Sequence, residues 1–415
     1  MKNTIEIKNF LTIDTASIDI TKFTFFIGPQ ASGKSIVAKL LYIFYHLPEY
    51  VLDTAFSRGK RRKLNETIIN VFSEVFPQYA WNEKNFNICF KTDKGKITFN
   101  HEGNKSLSLG FSEYYKKIID NIFSFSSKEP SAKDLGRDNI DCYIKIETMI
   151  RSSDWGFITG AGSSVFIPAG RSFFACLENN VFSFLSNNIH IDYFLKEFGM
   201  MYQHSKTLLT RFSQDNSEKS NSFSSVCKRF IGGTYLQKQQ KDYIKNTKAG
   251  LEIEARDASS GQQELLPVLF MLFRKQHGLI LIEEPETHIF SSSQSEIIRY
   301  IVSTQIVNSC QKAFLFTTHS PYVLTTANNL AYAGILENKF KQQNNKSALA
   351  KLDKIYKANE RIALGDLSAY YFNDGRIESI VDIGSGMINA QKLDEISEKT
   401  DEKFSDLLSL EATEK

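Results

Sequence analysis

Short apolar runs alternate with polar stretches along the chain, and their periods predict elements of different kinds. Ile5-Glu6-Ile7-Lys8-Asn9-Phe10 alternates as a half-buried strand does, and Ala16-Ser17-Ile18-Asp19-Ile20 repeats the pattern. Phe23-Thr24-Phe25-Phe26-Ile27 is a β-prone run that ends at Gly28. Residues 1–27 are therefore expected to be a strand pair leading into a buried strand. A helical pattern starts at Ser35 and runs to about His46-Leu47, where Pro48 is expected to stop it. Residues 87–91 and 96–100 flank Asp93-Lys94-Gly95, a hairpin signal, with Leu107-Ser108-Leu109 as a third strand and a helix over 112–125. Val165-Phe166-Ile167 is a buried-strand candidate. Residues 173–215 carry Phe184, Leu185, Tyr193, Phe194, Leu195 and Phe198 at helical spacing, an apolar stripe for core or dimer contact. Residues 215–224 are polar and serine-rich, the composition of an exposed loop. Residues 231–235 and 251–254 suggest another hairpin. Residues 279–282 and 313–316 read as buried strands. Near the end, residues 369–372 and 377–382 surround Asn373-Asp374-Gly375 as two strands. A charged helix over about 390–410 follows, with Ile396, Phe404, Leu407, Leu408 and Leu410 as an apolar face for its own head or a partner.

Chemistry enters where these elements end. Gly28-Pro29-Gln30-Ala31-Ser32-Gly33-Lys34-Ser35 fits G-x-x-x-x-G-K-[ST] and lies between a predicted strand and a predicted helix. That context makes an anion site from loop N–H groups and a helix N-terminus. Lys34 is expected to reach the β- and γ-phosphates of a nucleotide, and the Ser35 hydroxyl to ligate Mg²⁺. Leu279-Ile280-Leu281-Ile282 ends in Glu283-Glu284-Pro285. One carboxylate there suits the Mg²⁺ shell, for which Glu283 is the candidate; the next can orient and deprotonate water. Residues 313–318 end at His319, a candidate γ-phosphate contact. Ser259-Ser260-Gly261-Gln262 opens a second potential anion-binding turn ahead of a helix. Pro168-Ala169-Gly170-Arg171 follows the 165–167 strand; its arginine suits either the nucleotide or a structural salt bridge.

Composition narrows the setting. A length of 415 residues exceeds one simple domain, and a net charge of +3 does not advertise a nucleic-acid binder. The basic run Arg58-Gly59-Lys60-Arg61-Arg62-Lys63 suits a solvated face or phosphate contact. Five scattered cysteines without C-x-x-C fit neither zinc nor a disulfide frame, which points to a reducing, cytoplasmic setting. The N-terminus lacks an apolar core for a signal peptide, and no run has membrane-spanning length.

The order of phosphate loop, Ser-Ser-Gly-Gln, Glu-Glu-Pro-Glu and Thr-His-Ser-Pro resembles ABC-type ATPases of the SMC, RecF and OLD kind. The resemblance implies an α/β fold: a P-loop ATPase head with a mixed β-sheet core, a helical insertion and a short C-terminal α/β extension. The expected parts are an N-terminal lobe at 1–50, an inserted hairpin and helical region at 51–225, a C-terminal lobe at 226–330 and an extension at 331–415. Residues 28–35 match Walker A, and Ser259, Gly261 and Gln262 match a diverged signature. Glu283-Glu284 matches Walker B, with Glu283 where many members have aspartate. By resemblance Glu284 is the catalytic base, His319 the switch histidine, and Glu286-Thr287-His288 the D-loop region. Two such heads sandwich two nucleotides, so a homodimer or higher oligomer is implied, with Ser259 and Gly261 serving the partner's site.

Ile-Pro-Ala-Gly-Arg and Ser368-Ala369-Tyr370-Tyr371-Phe372 also resemble ATPase subunits of bacterial antiphage systems, namely Septu, PARIS and retron-associated ATPases. No long helical hairpin separates the head's halves as in SMC proteins. No D-x-D pair follows Pro321, as an OLD-type Toprim nuclease needs. The leading expectation is an ATP-hydrolysing switch in phage defence with a separate effector such as a nuclease. A DNA-repair ATPase of RecF or SMC type that binds DNA directly is the alternative, and a non-hydrolysing scaffold is the third reading.

Overall fold

The computed structural model describes residues 2–103, 105–128, 138–159, 162–177, 191–214, 218–239, 241–273, 278–304, 306–307, 310–382 and 384–389. The expected helix at 390–410 lies outside them, as do Phe184 and Leu185.

The strands are β1 (Asn3–Phe10), β2 (Ile13–Ile20), β3 (Phe23–Ile27), β4 (Phe86–Lys91), β5 (Lys96–His101), β6 (Ser108–Phe111), β7 (Val165–Ile167), β8 (Gly233–Lys238), β9 (Lys241–Asn246), β10 (Glu252–Glu254), β11 (Gly278–Glu283), β12 (Ile306–Val307), β13 (Cys310–Thr318), β14 (Leu367–Asn373) and β15 (Arg376–Ser379). The helices are α1 (Lys34–Tyr45), α2 (Leu47–Phe56), α3 (Arg61–Val75), α4 (Glu113–Lys128), α5 (Asp138–Ser152), α6 (Phe173–Leu177), α7 (Tyr193–Gln214), α8 (Glu218–Ile231), α9 (Ser260–Phe273), α10 (Ser291–Ser303), α11 (Pro321–Gln342) and α12 (Lys346–Ile355).

One mixed sheet organises the molecule, in the order β6-β5-β4-β1-β2-β15-β14-β3-β13-β11-β7, with β12 beside β13. From β14 to β7 every pairing is parallel. Parallel strands joined by crossover helices are covered on both faces and so read as continuous apolar runs. Phe23, Phe25 and Ile27 enter one core with Ile280, Ile282, Phe314 and Phe316; Phe26 enters the other with Leu279, Leu281 and Leu315. Phe25 stacks on Phe316 at 4.7 Å between ring centroids. No described helix is long and apolar enough to cross a membrane.

Several expectations are corrected. Pro48 does not end a helix; it lies in the first turn of α2, where its missing N–H costs no internal bond. The serine-rich stretch is helical from Glu218, because Phe223, Cys227 and Ile231 recur every four residues and are buried. The expected hairpin of 231–235 with 251–254 is a three-stranded sheet, β10-β9-β8. Its middle strand escaped notice because it buries Asp242, which receives bonds from Lys206 (2.8 Å) and Tyr235 (2.6 Å). The segment assigned to an insertion supplies β4, β5 and β6, which extend the main sheet from β1. The segment expected as a C-terminal extension places β14 and β15 between β3 and β2, in the middle of that sheet. The basic run forms a solvated face, as one of its two readings has it: Arg61 pairs with Asp120 (3.0 Å), Arg62, whose side chain is 91% exposed, with Glu66 (2.9 Å), and Lys63 donates to Ser57 Oγ (3.1 Å).

Candidate functional site

The site forms at the carboxyl ends of three adjacent parallel strands, where open α/β sheets bind ligands. Ile27 at the end of β3 is in register with Thr318 of β13, and Thr317 is in register with Glu283 of β11. The residues that follow these strand ends are Gly28, His319 and Glu284. Strand pairing thus brings together three segments separated by about 250 and 35 residues along the chain.

The loop from Gly28 to Lys34 wraps through left-handed backbone at Ala31 (φ 59°) and Gly33 (φ 100°) before α1 begins. Pro29, Gln30, Ala31 and Ser35 are exposed, while Ser32, Gly33 and Lys34 are buried. Lys34 Nζ donates to Gly28 O (2.9 Å), Pro29 O (2.7 Å) and Ser32 Oγ (3.3 Å). Gly28 is required for a reason the motif does not contain. A Cβ there would collide with the carbonyl oxygen of Phe372 on β14.

Burial lowers the Lys34 ammonium to about pKa 8, while Glu284, then Glu286 and Glu283, oppose that shift. Phosphate favours the protonated amine, which in the nucleotide-free chain becomes scarcer above about pH 8. ATP affinity is therefore expected to fall as pH rises from about 7 to 9.5. Lys34→Arg, which stays charged, should flatten this profile in ATP titrations at fixed ionic strength. The sign for stability is opposite. The unfolded lysine holds its proton up to about pH 10.4, so this group's contribution to stability rises with pH above about 8.

Glu284 adopts φ 44°, an uncommon conformation for a residue with a side chain. Its N–H donates to Thr317 O (2.8 Å). Its carbonyl accepts from Arg171 Nη2 (3.0 Å) and Thr287 Oγ1 (3.0 Å). Such strain persists where the surroundings over-determine it, and it clusters at functional sites. His319 Nε2 lies 3.5 Å from Glu284 Oε1. Glu283 Oε2 accepts from Ala169 N (3.3 Å).

Sequence reasoning placed Glu286 only in a D-loop region. Its Oε1 accepts from Thr318 Oγ1 (2.7 Å) and His319 N (2.8 Å), so it anchors the histidine's backbone. Its Oε2 is buried with no hydrogen-bond partner among the described residues. An unpartnered carboxylate oxygen near a lysine and two further carboxylates suits a hard cation. Among the described residues no three His, Cys, Asp or Glu side chains form a metal cluster by themselves. Mg²⁺ fits this, since it takes one or two protein oxygens and completes its shell from phosphates and water.

The signature candidates sit at the start of α9. Ser259 N and Oγ both donate to Gln262 Oε1 at 3.1 Å, and Gln262 Nε2 donates to Ile231 O (2.7 Å). Ser259 is exposed. Gly261 packs on the turn after β11, where a Cβ would stand 2.9 Å from His288 O. Arg171, left open by the sequence, is a buried arginine paired with Glu264 at 3.1 Å.

Fold and site define a class of arrangement: a mixed α/β sheet with a glycine loop before a helix, and two acids and a histidine at the ends of the neighbouring parallel strands. Residues 189–324, from before α7 to the start of α11, match the family model described as AAA ATPase domain. No curated protein matches the chain. Among solved structures, the SMC head bound to the C-winged helix domain of ScpA is similar at TM-score 0.45 and 13% identity. The match covers 92% of this chain and 99% of that one. An Smc head domain with an extended coiled coil, bound to the C-terminal domain of ScpA derived from Pyrococcus furiosus, gives 0.41 and 12%, covering 96% and 100%. The SMC head domain from Thermotoga maritima gives 0.38 and 10%, covering 91% and 97%.

Proposed function

We propose that this chain hydrolyses ATP and acts as a nucleotide-driven switch in antiphage defence, with a separate effector chain such as a nuclease. The observation that carries the ATPase reading is the convergence of Lys34, Glu283, Glu284 and His319 at neighbouring strand ends. In this reading the N–H groups of residues 28–35 and the Lys34 ammonium hold the β- and γ-phosphates. Ser35 and Glu283, with the unpartnered oxygen of Glu286, would hold Mg²⁺, which when bound would neutralise phosphate charge. Glu284 takes a proton from water, and His319, fixed by Glu286, contacts the γ-phosphate.

Exposed Ser259 at the start of α9 supports a sandwiched homodimer, since a signature that completes a partner's site must face outward. Phe290, beside the same turn, is 77% exposed, which suits an interface. ATP would bind the closed pair better than the open one, and that difference would shift the population. The antiphage role rests on the resemblance of the sequence motifs.

Two measurements test this. Purified chain should release phosphate from Mg-ATP and dimerise with ATP but not ADP; neither response would end the switch reading. Co-purification with the product of an adjacent nuclease, reverse transcriptase or Toprim gene would support defence. Salt-sensitive DNA binding without such a partner would favour the repair reading instead.

A further inference from the structure

The turn after β7 stands between the two halves of the site. The Arg171 side chain is 1% exposed, as is that of Glu264 on α9. Arg171 Nη1 donates to Pro168 O (3.0 Å) and Glu283 O (2.6 Å), and Nη2 donates to Glu284 O (3.0 Å). Its Nε lies 3.1 Å from Glu264 Oε2. The Glu264 carboxylate also accepts from Arg171 N (3.2 Å) and Ser172 N (3.1 Å). Arg171 therefore joins the second turn of the signature helix, through its backbone N–H and its ion pair with Glu264, to the backbone of both acidic residues.

A buried ion pair is a weak stability device, because apolar residues of similar volume commonly do as well. This one is directed at function-bearing backbone. Two of its donors end on the carbonyls that set the direction of Glu284, whose φ of 44° leaves it few other arrangements. A planar fork reaches three carbonyls at once, which a lysine ammonium does not, while the backbone N–H groups of 171 and 172 hold the Glu264 carboxylate beside it. The second contact between these elements, Gly261 against His288 O, reaches the same turn from the other side.

We propose that Arg171 is a positioning residue that transmits the placement of the signature helix, through Glu264, to the carboxylate of Glu284. Engagement of Ser259 and Gly261 by a partner's nucleotide moves α9, Glu264 carries Arg171, and the carbonyls of Glu283 and Glu284 follow. The inference rests on the ATPase reading above and adds a route by which a partner head sets the pace of turnover.

The test is a double-mutant cycle on the full chain with Arg171→Lys and Ser259→Ala, reading melting temperature, ATP affinity and turnover. Arg171→Lys is expected to keep ATP affinity within about twofold and lower turnover at least about tenfold. Ser259→Ala should lower turnover alone and add nothing in the Arg171→Lys background. Unchanged turnover in Arg171→Lys overturns the proposal. So does loss of affinity in proportion to turnover, or additivity of the two changes. Where Arg171→Lys does not fold, Glu264→Gln takes its place: it removes the carboxylate charge beside Arg171, and the amide oxygen still accepts from one of the 171 and 172 N–H groups. A wild-type chain without turnover defeats the ATPase reading; wild-type turnover with an unaffected Arg171→Lys defeats the relay alone.

Discussion

Glu284→Gln is expected to leave ATP binding intact and to lower turnover by about 10²–10⁴-fold, the range associated with loss of a general base. The substitution keeps what the backbone does: the N–H bond to Thr317 O and the carbonyl bonds from Arg171 and Thr287 do not involve the carboxylate. An amide oxygen also still accepts from Thr287 Oγ1, which lies 3.2 Å from Glu284 Oε2. What is lost is proton acceptance, with the carboxylate charge that faces His319 and Lys34. Single-turnover phosphate release beside an ATP titration separates the two effects. A variant that hydrolyses at the normal rate would remove Glu284 from its role and turn attention to Glu286. Because the variant binds without turnover, it should also accumulate the ATP-bound dimer, visible as a shift in sedimentation.

Gly28→Ala is expected to be the most destabilising single change in the phosphate loop. The added Cβ meets backbone, the carbonyl of Phe372, and backbone cannot rotate away as a side chain can. Relief requires β14 to withdraw from β3, which breaks the parallel ladder from Leu367↔Phe23 to Tyr371↔Ile27 and disturbs the Thr24–Ser368 hydroxyl pair. Overpacking costs about 1–3 kcal/mol, and the upper end applies where the neighbour is main chain. Chemical denaturation without nucleotide is the measurement, with amide exchange across 367–373 as the local readout. A normal midpoint and full protection of β14 would mean that the hairpin is not wedged against the loop. Loss of ATP affinity alone does not discriminate, since phosphates also approach this loop.

The strands that carry the site were legible because they are buried on both faces. A run such as Leu279-Ile280-Leu281-Ile282 needs no partner to be recognised, and the polar residues that follow it stand out by contrast. The same logic failed for β9, where a buried aspartate with its own lysine makes a core strand look like surface. It failed again for α8, where serines occupy the exposed face and disguise the four-residue recurrence of Phe223, Cys227 and Ile231. Arg171 and Glu286 stood out only as members of motifs, without a role that the motif fixed. An arginine after Pro-Ala-Gly and a glutamate after Glu-Glu-Pro acquire their places only from what folds against them.

The amino-acid sequence by itself determined the phosphate loop, the paired acids, the histidine and the buried strands that end in them, because each is encoded by local pattern and residue chemistry. Tertiary structure alone decided that β14 and β15 enter the sheet beside the loop strand. It also decided that Gly28 makes room for them, that Glu284 is held at positive φ, and that one arginine ties it to the signature helix. These depend on pairings between residues hundreds of positions apart, and no local period or motif records which distant segments will meet.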